Sequence, residues 1–295
     1  MRIVLYIIAI LIALPVLAFG GVYLVSEAKL RDVARPPAFD RPIPEDVASV
    51  ERGRHIARTR GCFGCHGQRL EGIDFTEQWP WIATAVAPNL AAYAKAHDAA
   101  TLEAAIRHGV GADGRALWSM PSYNFTRLSD DDVAALIAFL KAAPVVEQPL
   151  PKPRLGWAVR WAIVTGAETH MADWAARTPP LTVDAQAEPA LAHGEYLAMT
   201  MCNECHGLDL RGQTLFEGAQ TPDLAIVASY GRDDFDKLIT TGVPIGGREI
   251  ELMALVAPDR YRDLSVDEAD DLYAFLQTLV DKPAATDVFW RQEPR

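Results

Sequence analysis

The sequence predicts an all-α protein in which two tandem helical units follow an N-terminal apolar helix. Three observations carry that expectation. Residues Ile3 to Val25 form an uncharged run of 23, and about 20 apolar residues suffice to cross a bilayer. Beyond the run, one residue pattern recurs at an offset of close to 140 positions, the signature of a duplicated unit. Within each copy apolar residues return at helical spacing, and no segment sustains the period-two alternation of a half-buried strand.

Taken in order, residues 1–27 read as a membrane anchor, with a cleaved signal peptide as the competing reading. A signal peptide has a shorter apolar core and a small-x-small cleavage site. Here Ala18-Phe19-Gly20 is a poor site, so a retained anchor is favoured. Arg2 alone precedes the run, whereas Lys29, Arg31 and Arg35 follow it, the reverse of the usual positive-inside bias. Residues 28–48 form a linker, 49–142 the first unit, 143–188 a proline-rich linker, 189–282 the second unit and 283–295 a tail. Pro144, Pro149, Pro151 and Pro153 stiffen the start of the second linker. Its middle, Leu155 to Thr165, carries Trp157 and Trp161 one helical turn apart. A helix packed on one of the units is the preferred reading, and a membrane-surface helix is the other.

The repeat is detailed. Cys62-Phe63-Gly64-Cys65-His66 corresponds to Cys202-Asn203-Glu204-Cys205-His206, and these copies contain all four cysteines. Pro88-Asn89-Leu90 corresponds to Pro222-Asp223-Leu224. Gly109-Val110, Gly114-Arg115 and Met120 correspond to Gly242-Val243, Gly247-Arg248 and Met253, with 11 positions from first glycine to methionine in both. Ser129 and Ser265 are N-cap residues, each followed three positions on by an acid, Asp132 and Glu268. Apolar periodicity then marks a closing helix in each unit.

The net charge is −11, and the second half supplies it. Residues 49–142 hold ten basic and ten acidic side chains; residues 188–281 hold six and eighteen. The acidic balance excludes nucleic acid as a partner. It suits a positively charged protein face, or simple solubility.

C-x-x-C-H is the attachment pattern of c-type haem, two thioether bonds followed by a histidine beneath the iron. The alternatives are weaker. A thioredoxin-like pair needs a βαβ context, a zinc site would be split across two complete repeats, and disulfides would leave His66 and His206 unexplained. Each unit resembles a class I cytochrome c domain, over about 50–142 and 191–279. The resemblance implies two covalent haems, held by Cys62, Cys65, Cys202 and Cys205, with His66 and His206 as proximal ligands. It implies close crossings of Gly53 with Phe139 and of Gly194 with Phe275. It also implies that the Pro88 and Pro222 carbonyls accept a hydrogen bond from the proximal imidazole. Met120 is the only methionine in the first unit, and Met253 the only one after the second motif. Their matched positions make both the distal ligands. Met120-Pro121 follows the family pattern and Met253-Ala254 departs from it. His55, His97, His108 and His193 read as packed or exposed histidines.

The functional expectation is electron transfer by a membrane-anchored dihaem cytochrome, with its domains in the bacterial periplasm. Its partners would be a redox donor and acceptor, such as a dehydrogenase subunit or a terminal oxidase. The alternatives are the cytochrome subunit of a membrane-bound dehydrogenase, or a dihaem enzyme of peroxidase or thiosulfate-oxidising type with one open haem. Those dehydrogenase subunits usually carry three motifs, and this chain has two.

Overall fold

Helix α1, Arg2–Arg31, projects from a body made of two helical units. The computed structural model describes residues 2–215, 218–248, 250–284, 288 and 290, without the side chain of Glu251. The tail at 283–295 therefore lies largely outside the described residues. Among the described residues, strands are limited to two-residue pieces. β1 (Ile73–Asp74) pairs antiparallel with β3 (Val86–Ala87), and β2 (Ala83–Thr84) with β4 (Arg154–Leu155).

In the first unit α2 (Val47–Thr59) crosses α6 (Asp130–Ala142); in the second α9 (Pro189–Met201) crosses α13 (Val266–Gln277). Local chemistry sets where these helices begin. Ser129 accepts from the Asp132 N–H at 3.1 Å. Ser265 does the same for Glu268, whose carboxylate returns a bond to the Ser265 N–H at 2.8 Å, completing a capping box.

Both crossings depend on a missing side chain. A Cβ at Gly53 would collide with the Ala135 carbonyl and Phe139 Cβ; one at Gly194 would collide with the Asp271 carbonyl and Phe275 Cβ. Apolar residues close in around each crossing. Ile56, Leu136 and Leu140 fill the first core, and Leu197, Leu272 and Leu276 fill the second.

The stretch read as a proline-rich linker contains two helices. α7 (Trp157–Thr165) packs on α1, and α8 (Met171–Arg177) packs on the 3-10 turn Ser122–Asn124 of the first unit. A third small core forms there from Leu30, Ile82, Val159 and Ile163. No proline lies between Pro153 and Pro179, which leaves the intervening apolar run free to form a helix. α1 likewise outruns the expected anchor. Its last turns are held to the body by Glu27, which pairs with Arg115 at 2.9 Å.

The two units touch. His55 Nε2 bonds Glu268 Oε1 at 2.8 Å, and the Tyr196 hydroxyl donates to Asp132. Arg127 donates to the Pro179 carbonyl at 2.7 Å and the Met199 carbonyl at 3.3 Å.

Gly194→Ala gains up to about 1 kcal/mol of helix propensity but forces a collision with backbone. A net loss of about 2 kcal/mol is expected, or roughly 4–8 °C in melting temperature. Gly20→Ala, with nothing within 4 Å, should leave the melting temperature unchanged in a circular-dichroism scan. The Glu268 carboxylate pairs across the two units with His55. Burial raises its carboxyl, but His55 and the Ser265 N–H outweigh that and hold it at about 2, below the ordinary 4.5. A depressed carboxyl adds stability above its unfolded pKa and loses it as pH falls through the folded one. The melting-temperature gap between the parent and Glu268→Gln should therefore shrink from pH 4.5 toward about 2. A constant gap would contradict the pairing.

Candidate functional site: two matched cysteine–histidine motifs

Each motif follows directly from a crossing helix. α2 ends at Thr59, and after Gly61, left-handed at φ 77°, α3 (Cys62–His66) begins. α9 ends at Met201, and α10 (Asn203–His206) follows Cys202. The chain then makes the same turn twice. Gly67 and Gly207 lie at φ 84° and 83°, and Leu70 and Leu210 both at φ 62°. A left-handed leucine costs of order 1–3 kcal/mol and persists only where its surroundings enforce it. Here the enforcement is visible. The Gly72 N–H donates to the His66 carbonyl at 2.7 Å, and the Gly212 N–H to the His206 carbonyl at 2.8 Å. Leu70 and Leu210 then accept from the Leu90 and Leu224 N–H groups, both at 2.9 Å. Those bonds bring the two proline loops beneath the two histidines.

The imidazoles are held identically. His66 Nδ1 lies 2.8 Å from the Pro88 carbonyl oxygen, and His206 Nδ1 lies 2.9 Å from that of Pro222. A carbonyl oxygen only accepts, so Nδ1 carries the proton and Nε2 keeps its lone pair. Burial lowers the pKa of His66, against a smaller raising effect of the Pro88 bond. The ring is therefore neutral at physiological pH, the form that binds a metal. His206, half-buried, is subject to the same two opposed influences. The thiols are not of the activated kind. Burial pushes Cys62 and Cys202 up to about 12 and Cys205 up to about 11, whereas reactive redox pairs sit low.

In the first unit His66 faces a cavity of about 610 Å³, counting its open mouth. Cys62, Cys65 and Met120 share its wall with Ile106, Phe125, Leu136 and Leu140. Ile106 comes from α5 (Ala99–His108) and the two leucines from α6. Met120 lies in a loop, because Pro121 disfavours helix at the preceding residue.

The second unit differs at this point. Met253 stands on α12 (Glu251–Arg260), half-buried against the second core. The sequence gives a reason: Ala254 continues a helix where Pro121 forbids one. Gly242, left-handed at φ 73°, lets the start of the loop close onto Met253 and Ala254, where a Cβ would collide.

The other histidines have partners of their own. His108 and Arg107 bond the buried Glu103, and His193 bonds Asp271 at 2.7 Å. The His97 ring lies 4.3 Å from that of Tyr93.

Two residues that sequence reasoning missed join the motifs. Glu204 lines the first cavity although it belongs to the second motif. Its carboxylate accepts from Arg260 at 2.6 Å, and the Arg260 guanidinium rests on Gly61, where a Cβ would strike it. Nothing in the sequence marks either residue, because only docking of the units brings them to the first cavity. Arg60 is a third. It is 4% exposed, lies beside Cys62 on the cavity wall, and has its Nε unpaired among the described residues. Its guanidinium donates to the Thr59 hydroxyl at 2.7 Å and lies over the Tyr196 ring.

Residues 50–144 match the family model for cytochrome c, and this stretch is a cytochrome c domain. The chain is similar to the cytochrome c subunit of alcohol dehydrogenase (quinone) from Gluconacetobacter polyoxogenes, at 28% identity over 79% of this chain and 48% of the relative. It is similar to the gluconate 2-dehydrogenase cytochrome c subunit of Pantoea cypripedii, at 28% over 54% of this chain and 38% of the relative. The fructose dehydrogenase cytochrome subunit of Gluconobacter japonicus shows 27% identity over 59% of this chain and 38% of its own length. The chain thus spans less than half the length of each of these relatives. A cytochrome c domain holds covalent haem c. The first cavity fits one, with two thiols on its edge, a neutral imidazole whose Nε2 is free, a thioether on its wall and apolar residues around them.

Removing the charge of Arg260 should leave Glu204 as an uncompensated anion beside the first cavity. Arg260→Gln should then lower the reduction potential of the first domain by tens of millivolts, on the order expected for one unit charge nearby. Spectroelectrochemistry reads this directly, and an unmoved potential would show that the pair does not act on the site.

Proposed function

We propose that the chain is a membrane-anchored dihaem cytochrome that transfers electrons in the periplasm as the cytochrome subunit of a membrane-bound dehydrogenase. The observation that carries it is the duplicated histidine geometry. The His66–Pro88 and His206–Pro222 bonds differ by 0.1 Å, on matched turns with the same left-handed leucine. This supports a second haem in residues 189–282, held by Cys202, Cys205 and His206, with Met253 as its distal ligand. The names of the similar proteins support the dehydrogenase assignment; a free-standing cytochrome, passing electrons to an oxidase, is the other form of the same activity.

Bound haem supplies reversible one-electron transfer. The chain's own residues tune and protect it. The proline carbonyls fix the imidazole planes and raise the basicity of Nε2. The Met120 thioether is soft and neutral and favours ferrous iron, which raises the potential. Ile106, Phe125 and Leu140 keep water from the first site, which also disfavours the more charged oxidised state.

One observation favours a second reading. Met253 sits on a helix and not in a loop, so the second site is where a displaceable ligand and an enzyme activity would be found. An optical redox titration with and without carbon monoxide separates the two. Electron transfer predicts two one-electron waves and no carbon monoxide adduct at neutral pH. An adduct on the second haem would support an enzyme and sink the pure carrier. In the same titration Met120→His should lower one wave by on the order of 0.1 V or more while covalent haem is retained. An unchanged wave would remove Met120 from the ligand set.

A further inference from the structure

α7 has two unlike faces. Val159, Arg160 and Ile163 are buried against α1 and the first unit. The opposite face presents Trp157 and Trp161, 42% and 52% exposed, with ring centroids 6.3 Å apart. Trp81, on the 3-10 turn packed beside α7, is also 52% exposed. Three large exposed indoles on one small region are costly in water and call for a cover.

Their position relative to α1 indicates what the cover is. The Trp157 ring lies 4.1 Å from that of Phe19, six residues before the end of the apolar run. Arg160 sits 4.2 Å over the Tyr23 ring and donates to Ser26 at 2.8 Å. Lys29 Nζ donates to the last α7 carbonyls, Ile163 and Val164, at 3.0 Å each. α7 is thus fastened to the final turns of α1 from Phe19 to Lys29. At 1.5 Å per residue, the run from Ile3 to Val25 is about 34 Å long, close to the roughly 30 Å of a hydrocarbon core. Phe19 then lies within about 9 Å of the end of the run. Trp157 beside it falls at the depth where tryptophan and tyrosine concentrate in membrane proteins.

We propose that α7 lies in the membrane–water interface, with Trp157, Trp161 and Trp81 in the headgroup layer of the phospholipid bilayer that α1 crosses. This rests on the anchor reading of α1 and extends it. α1 alone would be a tether. α1 and α7 together form a bracket that holds the first domain at a fixed height above the bilayer, facing a membrane-bound donor.

The test uses full-length protein with both motifs loaded, so that only an introduced thiol takes a label. Ala158→Cys and Trp161→Cys probe α7, Leu11→Cys the core of α1, and Ser229→Cys the exposed second unit. Each variant carries a nitroxide and is reconstituted in vesicles of equal parts phosphatidylcholine and phosphatidylglycerol. Collision with oxygen and with a water-soluble nickel chelate is read by power saturation. Native haem spectra show that each variant is folded. The labels at 158 and 161 should show an oxygen-to-nickel ratio several-fold above that at 229 and below that at 11. A ratio at 158 and 161 equal to that at 229, with 11 buried, would overturn the proposal and leave the anchor standing. That result would assign the aromatic face to a protein partner. An intact mass lacking the first residues would overturn both.

Discussion

The arrangement depends on one constraint, the close crossing of two helix pairs at glycine. At Gly53 and Gly194 the backbones approach so nearly that no side chain fits between them. Each crossing sets the last turn of the helix that leads into a cysteine–histidine motif. α2 ends three residues before Cys62, and α9 ends one residue before Cys202. The motif geometry is therefore inherited from the core, and the left-handed leucines and proline loops then aim each imidazole. A loosened crossing would move the histidine together with its orienting carbonyl.

On this common plan the two halves have diverged where chemistry is adjusted. The first unit carries its methionine in a loop fixed by proline and surrounds the site with apolar side chains. The second carries its methionine on a helix whose far end supplies Arg260 to the neighbouring site. α12 thus holds Met253 for its own unit and Arg260 for the other. Glu204 works in the same crossed manner. Both charges come from the second unit, so the electrostatics of the first site are set by the pair of units and not by the first alone.

Much of this was legible in the sequence because it is local. The C-x-x-C-H pentapeptides and the serine caps are short patterns with direct physical meaning, whereas the glycine–aromatic crossings and the roles of Pro88 and Pro222 came from the resemblance to class I cytochrome c domains. The helices in the 143–188 stretch were only half legible. Four prolines announced a linker, while Trp157 and Trp161 announced a helix without saying what it would pack on. Glu204, Arg260 and Arg60 could not be read at all. Their roles come from contacts between residues 56 or more positions apart or from burial beside a cavity, and no single-sequence pattern encodes those. The helical setting of Met253 was foreshadowed by the missing proline at Ala254, a signal visible once the two repeats are laid side by side.

The dihaem function requires that the second motif be loaded as the first is. The most direct measurement is the intact mass of the purified chain, combined with a haem stain of the halves after cleavage between the units. Two covalently attached haems are expected, one in the fragment containing Cys62 and Cys65 and one in the fragment containing Cys202 and Cys205. A mass with a single haem, confined to the first fragment, would contradict the dihaem function.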